Sequence, residues 1–339
     1  MSEDFAQHAG IDRPSVQPRQ RPWGDVDVKE RNLLDRIRSK LARLLDIPKP
    51  YRIGRFELLL SGDHLLDRYQ TEYRLTDTAL GEIVRLAASK YPDLTAVDIG
   101  ANVGDTAALM CRHLDVPVLC VEGHPAFLAL LRRNVARLPA GTEIAACLVG
   151  PADGPASTDR LRKHNGTATL RPASAPADRS AAQIPIRPLA DVLRDHPRFR
   201  APRLIKTDTD GTDFDILLSS LDVIGACRPI LYFEYKPDIR QDGIAQSIQA
   251  ITALRAAGYT RFLVYDNFGN YLETVGHDAA ERFSDLNRYL LSHAIFGHRD
   301  IHYLDVCAFG AQDEDLAVQL RDYHRRQLDE RIRQTGLQV

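Results

Sequence analysis

The sequence predicts an α/β protein: a doubly wound, mostly parallel sheet with a helical extension ahead of it. Two observations carry this expectation. From Leu94 onward short apolar runs recur, LTAVDIG, VPVLCVEG, EIAACLVG, PRLIKTD, PILYFEY, RFLVYDN and HYLDVCAF. Runs that are nearly continuous in apolar residues suit strands covered on both faces. Amphipathic stretches separate several of them, which is the rhythm of βαβ units. A chain of 339 residues, 44% apolar and 27% charged, can hold one large domain of this kind with additions.

The elements follow in order. Residues 1–24 are rich in Pro, Gln, Arg and Asp and are expected to be flexible. Residues 25–90 are expected to form a helical cap region. There Leu34, Ile37, Leu41 and Leu44 share one helical stripe that Pro48 and Pro50 end, and a second helix runs from Thr78 to Lys90. Residues 91–312 carry the sheet. Its clearest helices place Leu128, Leu131, Val135 and Leu138 on one face, and Ile244, Ile248 and Ile251 on another. Residues 151–182, rich in Pro, Ala, Ser, Asp and Arg, break the rhythm and are expected to be a long loop bordering the site as a lid. Residues 313–339 read as a charged helix and tail, with Leu316, Leu320 and Tyr323 on its apolar stripe.

Bulk properties exclude several classes. A formal net charge of −2 gives no global drive toward nucleic acid or an anionic membrane. No apolar run approaches the roughly 20 residues a spanning helix needs, and MSEDFAQHAG lacks the basic start and apolar core of a signal peptide. The expectation is a cytoplasmic protein with no nucleic-acid partner and no transmembrane segment, with homo-oligomerisation left open. Cys111, Cys120, Cys147, Cys227 and Cys307 are widely spaced without a C-x-x-C pair, so they are expected to be reduced, mostly buried thiols.

Four motifs carry chemistry. VDIGANVGDT, from Val97 to Thr106, joins the first sheet strand to the next helix, where doubly wound sheets bind ligands. Its glycines let the backbone turn tightly. A dinucleotide fingerprint needs G-x-G-x-x-G, but Asn102 replaces the middle glycine. Asp98 and Asp105 bracket the turn with negative charge, which suits a cofactor carrying an ammonium and a sulfonium, as S-adenosylmethionine does. Second, Glu122 ends the next strand, where a carboxylate can accept hydrogen bonds from ribose hydroxyls. Third, Lys206, Asp208, Asp210 and Asp213 crowd the end of a later strand; they can position or deprotonate a hydroxyl, hold a cation, or cap a helix through Asp210 or Asp213. Fourth, Glu234 ends PILYFEY on the same rim. His64 and His124 are lone histidines, of which most are structural.

At these residues the sequence resembles the FkbM family of S-adenosylmethionine-dependent methyltransferases. The matching pieces are VDIGANVGDT, VEGHP, LADVL at Leu189–Leu193, IKTDTDGTDFDIL and RPILYFEY, in family order across residues 94–236. The family's second motif, K-x-D-x-E-G-x-E, reads here from Lys206 to Asp213 with both glutamates shortened to aspartate. The resemblance implies a Rossmann-like seven-stranded sheet of the class I methyltransferase type, with its last strand antiparallel. It also implies O-methylation of a sugar, glycoconjugate or natural-product hydroxyl. YDNFGNYL and HYLDVCAF look like features of members associated with polysaccharides or glycoconjugates.

The resulting expectation is a small-molecule or glycan acceptor methylated by S-adenosyl-L-methionine. The cofactor set is Asp98, Gly100, Ala101, Asn102, Gly104, Asp105, Thr106, Glu122, Gly123 and Leu148. The catalytic set is Asp208, Glu234 and His64, in that order as base, with Lys206 orienting. A divalent cation on Asp208, Asp210 and Glu234 is an option. The rivals are a nicotinamide-dependent oxidoreductase, which lacks its glycine fingerprint, and a non-catalytic methyltransferase-like binding protein.

Overall fold

The computed structural model describes residues 47–336, apart from 74, 76, 158–160, 165–166, 171–182, 238–241 and 298–299. The expected first helix around Leu34–Leu44 and the expected flexible stretch 1–24 lie outside the described residues.

The chain enters as a hairpin, β1 (Lys49–Ile53) and β2 (Phe56–Leu60). The helical cap expected here therefore includes two strands. Gly54, at φ +56°, is the first residue of the two-residue turn, a place hairpins favour for glycine. Alternation buries Ile53, Leu58 and Leu60. Asn134 pairs the free edge of β2 at Leu59, accepting from its N–H (2.8 Å) and donating to its carbonyl (2.9 Å). Two helices follow, α1 (Leu66–Glu72) and α2 (Thr78–Lys90).

The βα units come next: β3 (Ala96–Ile99), α3 (Asp105–Met110), β4 (Val118–Val121), α4 (Pro125–Val135) and β5 (Glu143–Ala145). Then come β6 (Leu148–Val149), β7 (Gly154–Ser157), β8 (Leu161–His164), β9 (Thr167–Leu170), β10 (Gln183–Arg187) and α5 (Leu189–Asp195). The stretch read as an irregular loop thus carries three strands. β7 pairs with β10, which also pairs with β6, and β8 pairs with β9. Such short strands leave too few alternations for a period to show in sequence. The chain continues with β11 (Leu204–Thr207), α6 (Asp213–Ser219), α7 (Leu221–Cys227), β12 (Ile230–Tyr235), α8 (Gly243–Ala256), β13 (Tyr259–Asp266), β14 (Tyr271–Val275), α9 (Ala279–Ile295), β15 (Leu304–Gly310) and α10 (Glu314–Gln334).

The main sheet has the order β14-β13-β15-β12-β11-β3-β4-β5. β5, β4, β3, β11 and β12 are parallel, and β15 is antiparallel to both β12 and β13. Seven strands thus match the expected sheet, reversed strand included. β14 is an eighth, added at the edge by a hairpin from β13. The order runs outward from β3 in both directions, so a crevice opens at the carboxyl ends of β3 and β11.

Helices cover both faces. One core joins the β1–β2 hairpin, α2, α3 and α10 to Cys120, Tyr232 and Cys307. The other joins α5 to α9 with Val97, Ile205 and Phe233. On α8 the buried stripe is Ser247, Ala250, Ile251 and Leu254, while Ile244 is exposed; it sits in the first turn, beyond the packed face. Four cysteines are buried, Cys227 is half-buried, and all five are free thiols. No helix among the described residues is long and apolar enough to cross a membrane.

Candidate active site

The turn between β3 and α3 takes positive φ at Gly100 (+79°), Asn102 (+50°) and Gly104 (+90°). Main-chain bonds fix it to the next strand: Gly100 and Ala101 both donate to the Val121 carbonyl, at 3.0 and 3.1 Å. On its other side the Asp208 N–H donates to the Ile99 carbonyl (3.1 Å). A Cβ on Gly100 would lie 2.1 Å from the Asp208 carbonyl oxygen. Glycine is required there because two backbones meet, one from each side of the crevice.

Glu122 locks the second side. Its carboxylate accepts from the Asn102 N–H (2.8 Å) and the His124 N–H (2.6 Å). Burial pushes its pKa up to about 7, with the N–H groups of His124, Asn102 and Gly123 pulling the other way. His124 caps α4, its Nδ1 accepting from the Ala126 N–H (3.2 Å). Gly123 packs against Leu148; a Cβ would lie 2.5 Å from its Cδ2.

Between these walls lies a cavity of about 180 Å³. Gly100, Asn102, Glu122, Gly123 and Leu148 line it, together with Val121, Phe127, Ile186 and the run Cys147 to Pro151. Its far wall is Asp208, Thr209, Asp210, Thr212 and Asp215.

Beside the cavity an acid-rich face runs across the sheet. Lys206 is in register with Asp98 on β3 and Tyr232 on β12, and Glu234 is in register with Asp305 on β15. The Lys206 Nζ lies 3.2 Å from the Asp98 Oδ1 and 3.7 Å from the Asp208 Oδ2. The other Asp98 oxygen accepts from the Thr106 hydroxyl (2.5 Å). Burial opposes the Lys206 charge, but Asp98, Asp208, Asp77 and Asp105 outweigh it and hold the ammonium above its ordinary range. The carboxyls bear the cost. Burial, then Asp208, raises Asp77 to about 7. Burial likewise raises Asp210 to about 7 and Asp105 above its usual value. Glu234 and Asp305 are pushed well up, by burial first and then by neighbouring carboxylates.

Asp213 has a different task. It accepts from the Thr207 hydroxyl (2.8 Å) and from the N–H groups of Thr209 (3.1 Å) and Gly211 (3.4 Å). It braces the turn after β11, where Asp210 is held at φ +53°. Neither aspartate is the N-cap residue of α6; that place belongs to Thr212.

Residues 98–261 match the family model described as Methyltransferase FkbM domain. The chain carries an FkbM methyltransferase domain. No curated protein matches the sequence. Among solved structures, the chain is similar to the methyltransferase FkbM from Methylobacillus flagellatus, at 18% identity and a TM-score of 0.34, over 50% of this chain and 39% of that one. It thus spans well under half of that relative. An O-methyltransferase from Bacillus cereus in complex with SAH aligns at 13% identity and a TM-score of 0.34, over 73% and 97%. Fibrillarin from Aeropyrum pernix, with natively bound S-adenosyl-L-methionine, aligns at 10% and 0.33, over 63% and 66%.

Within the FkbM domain the expected cofactor residues divide. Gly100, Asn102, Glu122, Gly123 and Leu148 reach the cavity. Asp98, Ala101, Gly104, Asp105 and Thr106 are off its wall and buried, with Asp98 sealed completely against Lys206. Of the catalytic set, Asp208 reaches the cavity, and Lys206 and Glu234 stand behind it. His64 does not line it. That ring is buried, with Nδ1 accepting from the Leu66 N–H (3.2 Å), and the carboxylate acting on it most is Asp105. Asp208, Asp210 and Glu234 do not form a cation site. Among the described residues no group of three His, Cys, Asp or Glu is arranged to hold a metal ion. Glu234 stands on β12, while Asp208 and Asp210 lie in the turn after β11. Sequence reading found Leu148 but missed Asp77, Asp305 and the rest of the Cys147–Pro151 wall. Asp77 lies outside the motifs, and Asp305, though inside HYLDVCAF, is set opposite Glu234 only by the strand register.

Proposed function

We propose that the protein is an S-adenosylmethionine-dependent O-methyltransferase acting on a hydroxyl of a sugar, glycoconjugate or natural product. The observation that carries this is the cavity's position. It opens at the switch point of the sheet, between the glycine turn and Asp208, with a buried carboxylate on one wall. The donor set fits the cofactor. Val121, Phe127, Leu148 and Ile186 offer an apolar slot for a flat base, and Glu122 offers acceptor lone pairs to a ribose diol. Asp210 takes the part the sequence suggests for Asp98 and Asp105, facing a cationic group. When bound, the cofactor supplies an electrophilic methyl group on sulfur.

The chain's own residues do the rest. Asp208 is anchored by its N–H to Ile99 and keeps a side chain 43% exposed, so it meets the acceptor. It orients the acceptor hydroxyl and takes its proton on a carboxylate oxygen. Lys206, 3.7 Å away, holds that carboxylate in place. Glu234, buried behind the rim, ranks after Asp208 as base.

Calorimetry with S-adenosylhomocysteine and with NADH tests the cofactor; labelled methyl transfer to a panel of glycans and hydroxylated natural products tests the reaction. Binding of the first ligand alone, with label on an acceptor oxygen, is expected. NADH binding in its place would overturn the proposal.

A further inference from the structure

Glu234 and Asp305 form a pair that proton transfer to Asp208 does not use. They are in register on adjacent antiparallel strands, so their side chains stand side by side on one face of the sheet. Their exposures are 5% and 8%. The Glu234 Oε2 is buried and has no hydrogen-bond partner. Neither residue forms an ion pair among the described residues. Like charges directly opposite one another destabilise a sheet, and a buried carboxylate needs a partner. The two nearby lysines act on the pair only at a distance and make their direct contacts elsewhere. Lys206 serves Asp98 and Asp208, and Lys236 lies over the Tyr303 ring at 5.7 Å. Asp77 and Asp208 add further acid around the pair.

Building on the methyltransferase reading, we propose that the acceptor carries a protonated amine, and that Glu234 and Asp305 receive this ammonium while Asp208 faces the hydroxyl. The acceptor class is then an amino sugar or an amine-bearing natural product. A cation supplies a positive charge in direct contact with the pair, and an N–H donor for the Glu234 Oε2 buried without one. Phosphorylated or carboxylated acceptors are disfavoured, because they would bring more negative charge to a face already crowded with acids. The raised pKa values of both carboxyls agree with this, since an arriving ammonium favours ionisation. Protons should therefore leave when it binds. The groups facing the pair in that exchange are Asp77, Asp208, Asp210, Asp213, Asp266, Lys206 and Lys236.

The test is a titration of the full chain with glucosamine, glucose, N-acetylglucosamine and glucuronic acid, each with and without saturating S-adenosylhomocysteine. Glucosamine is expected to bind about 10- to 100-fold more tightly than glucose or N-acetylglucosamine, the range for charge-assisted hydrogen bonds. Glucuronic acid is expected to bind weakest. Calorimetry in two buffers of different ionisation enthalpy should show proton release with glucosamine alone. Asp305→Asn, checked for folding by its melt, should remove most of the amine preference while S-adenosylhomocysteine affinity stays within a few fold. Equal or absent binding of glucosamine overturns the proposal, as does an unchanged preference in folded Asp305→Asn. Failure of S-adenosylhomocysteine to bind counts against the cofactor reading alone, because the amine comparison is also run without it.

Discussion

Lys206 and Asp98 face each other across neighbouring strands, 3.2 Å apart, with 2% and 0% of their side chains exposed. A buried pair is destabilising to break, because the surviving charge has no solvent. Lys206→Met is expected to cost about 3–5 kcal/mol. The double variant Lys206→Met, Asp98→Asn should recover much of that loss. Urea unfolding of the two variants decides it, and equal losses would show that the pair is not coupled.

Stability is expected to fall as pH rises from about 5 to about 7.5. Asp77, Asp210 and Glu122 titrate near 7 in the folded chain, and Asp213 near 6, against ordinary values of 3.8 for aspartate and 4.5 for glutamate. In that window the folded state holds more protons than the unfolded one. The stabilising share of these groups is therefore complete below their unfolded values and lost as pH passes their folded ones. His324, held near 4 by burial, pulls the other way below its ordinary value of 6.5, but it is outnumbered. The net fall should exceed about 1.4 kcal/mol, the free energy of a tenfold change in the proton affinity of one group. Denaturant midpoints at four pH values measure it; a flat or rising profile contradicts it.

Gly100→Ala is expected to unfold the turn rather than merely block the cofactor. The added carbon meets the backbone of Asp208 at 2.1 Å, and the residue needs φ +79°. The left-handed backbone alone costs about 1–2 kcal/mol. Thermal melts should show a clear loss. A native melt with weakened S-adenosylhomocysteine binding would instead place the glycine's role in ligand contact.

Glu122→Gln should weaken S-adenosylhomocysteine binding by about 1–3 kcal/mol, the cost of hydrogen bonds to a charged group. The change also turns one N–H acceptor into a donor facing Asn102 or His124. An analogue without ribose hydroxyls should lose less. Equal losses for both ligands would assign Glu122 to bracing the turn alone.

Asp208→Asn should lower methyl transfer about 10²- to 10⁴-fold, the range for acid–base groups, with S-adenosylhomocysteine affinity nearly unchanged. Normal turnover in the folded variant would remove Asp208 as base.

The sheet was legible because its strands are buried on both faces, and continuous apolar runs such as LYFEY leave little else for those segments to be. The glycine turn was legible from spacing, and Glu122 from its place at a strand end. The β1–β2 hairpin was hidden by the apolar FELLL run, which fits a helix as well as a strand when taken alone. Motif position also could not separate residues that reach the cavity from residues that build its wall. Asp98 and Glu122 look alike in sequence as acids at strand ends. Burial differs: Asp98 is sealed by Lys206 and Thr106, while Glu122 borders open space. Asp305 needed the pairing of β15 with β12, which no local pattern contains.

The reversed strand β15 sits between β12 and β13, yet it is made after both. As the chain leaves the ribosome, β12 and β13 emerge with no strand between them. Each then presents a bare hydrogen-bonding edge, and Phe233, Val264 and Tyr265 lack part of their cover. The cavity walls from Gly100 to Asp215 are already synthesised by then, but the sheet behind Glu234 stays open until residues 304–310 slot in. Translation that stalls before Leu304 therefore leaves a nascent chain with two unpaired edges, a species suited to capture by chaperones or to aggregation.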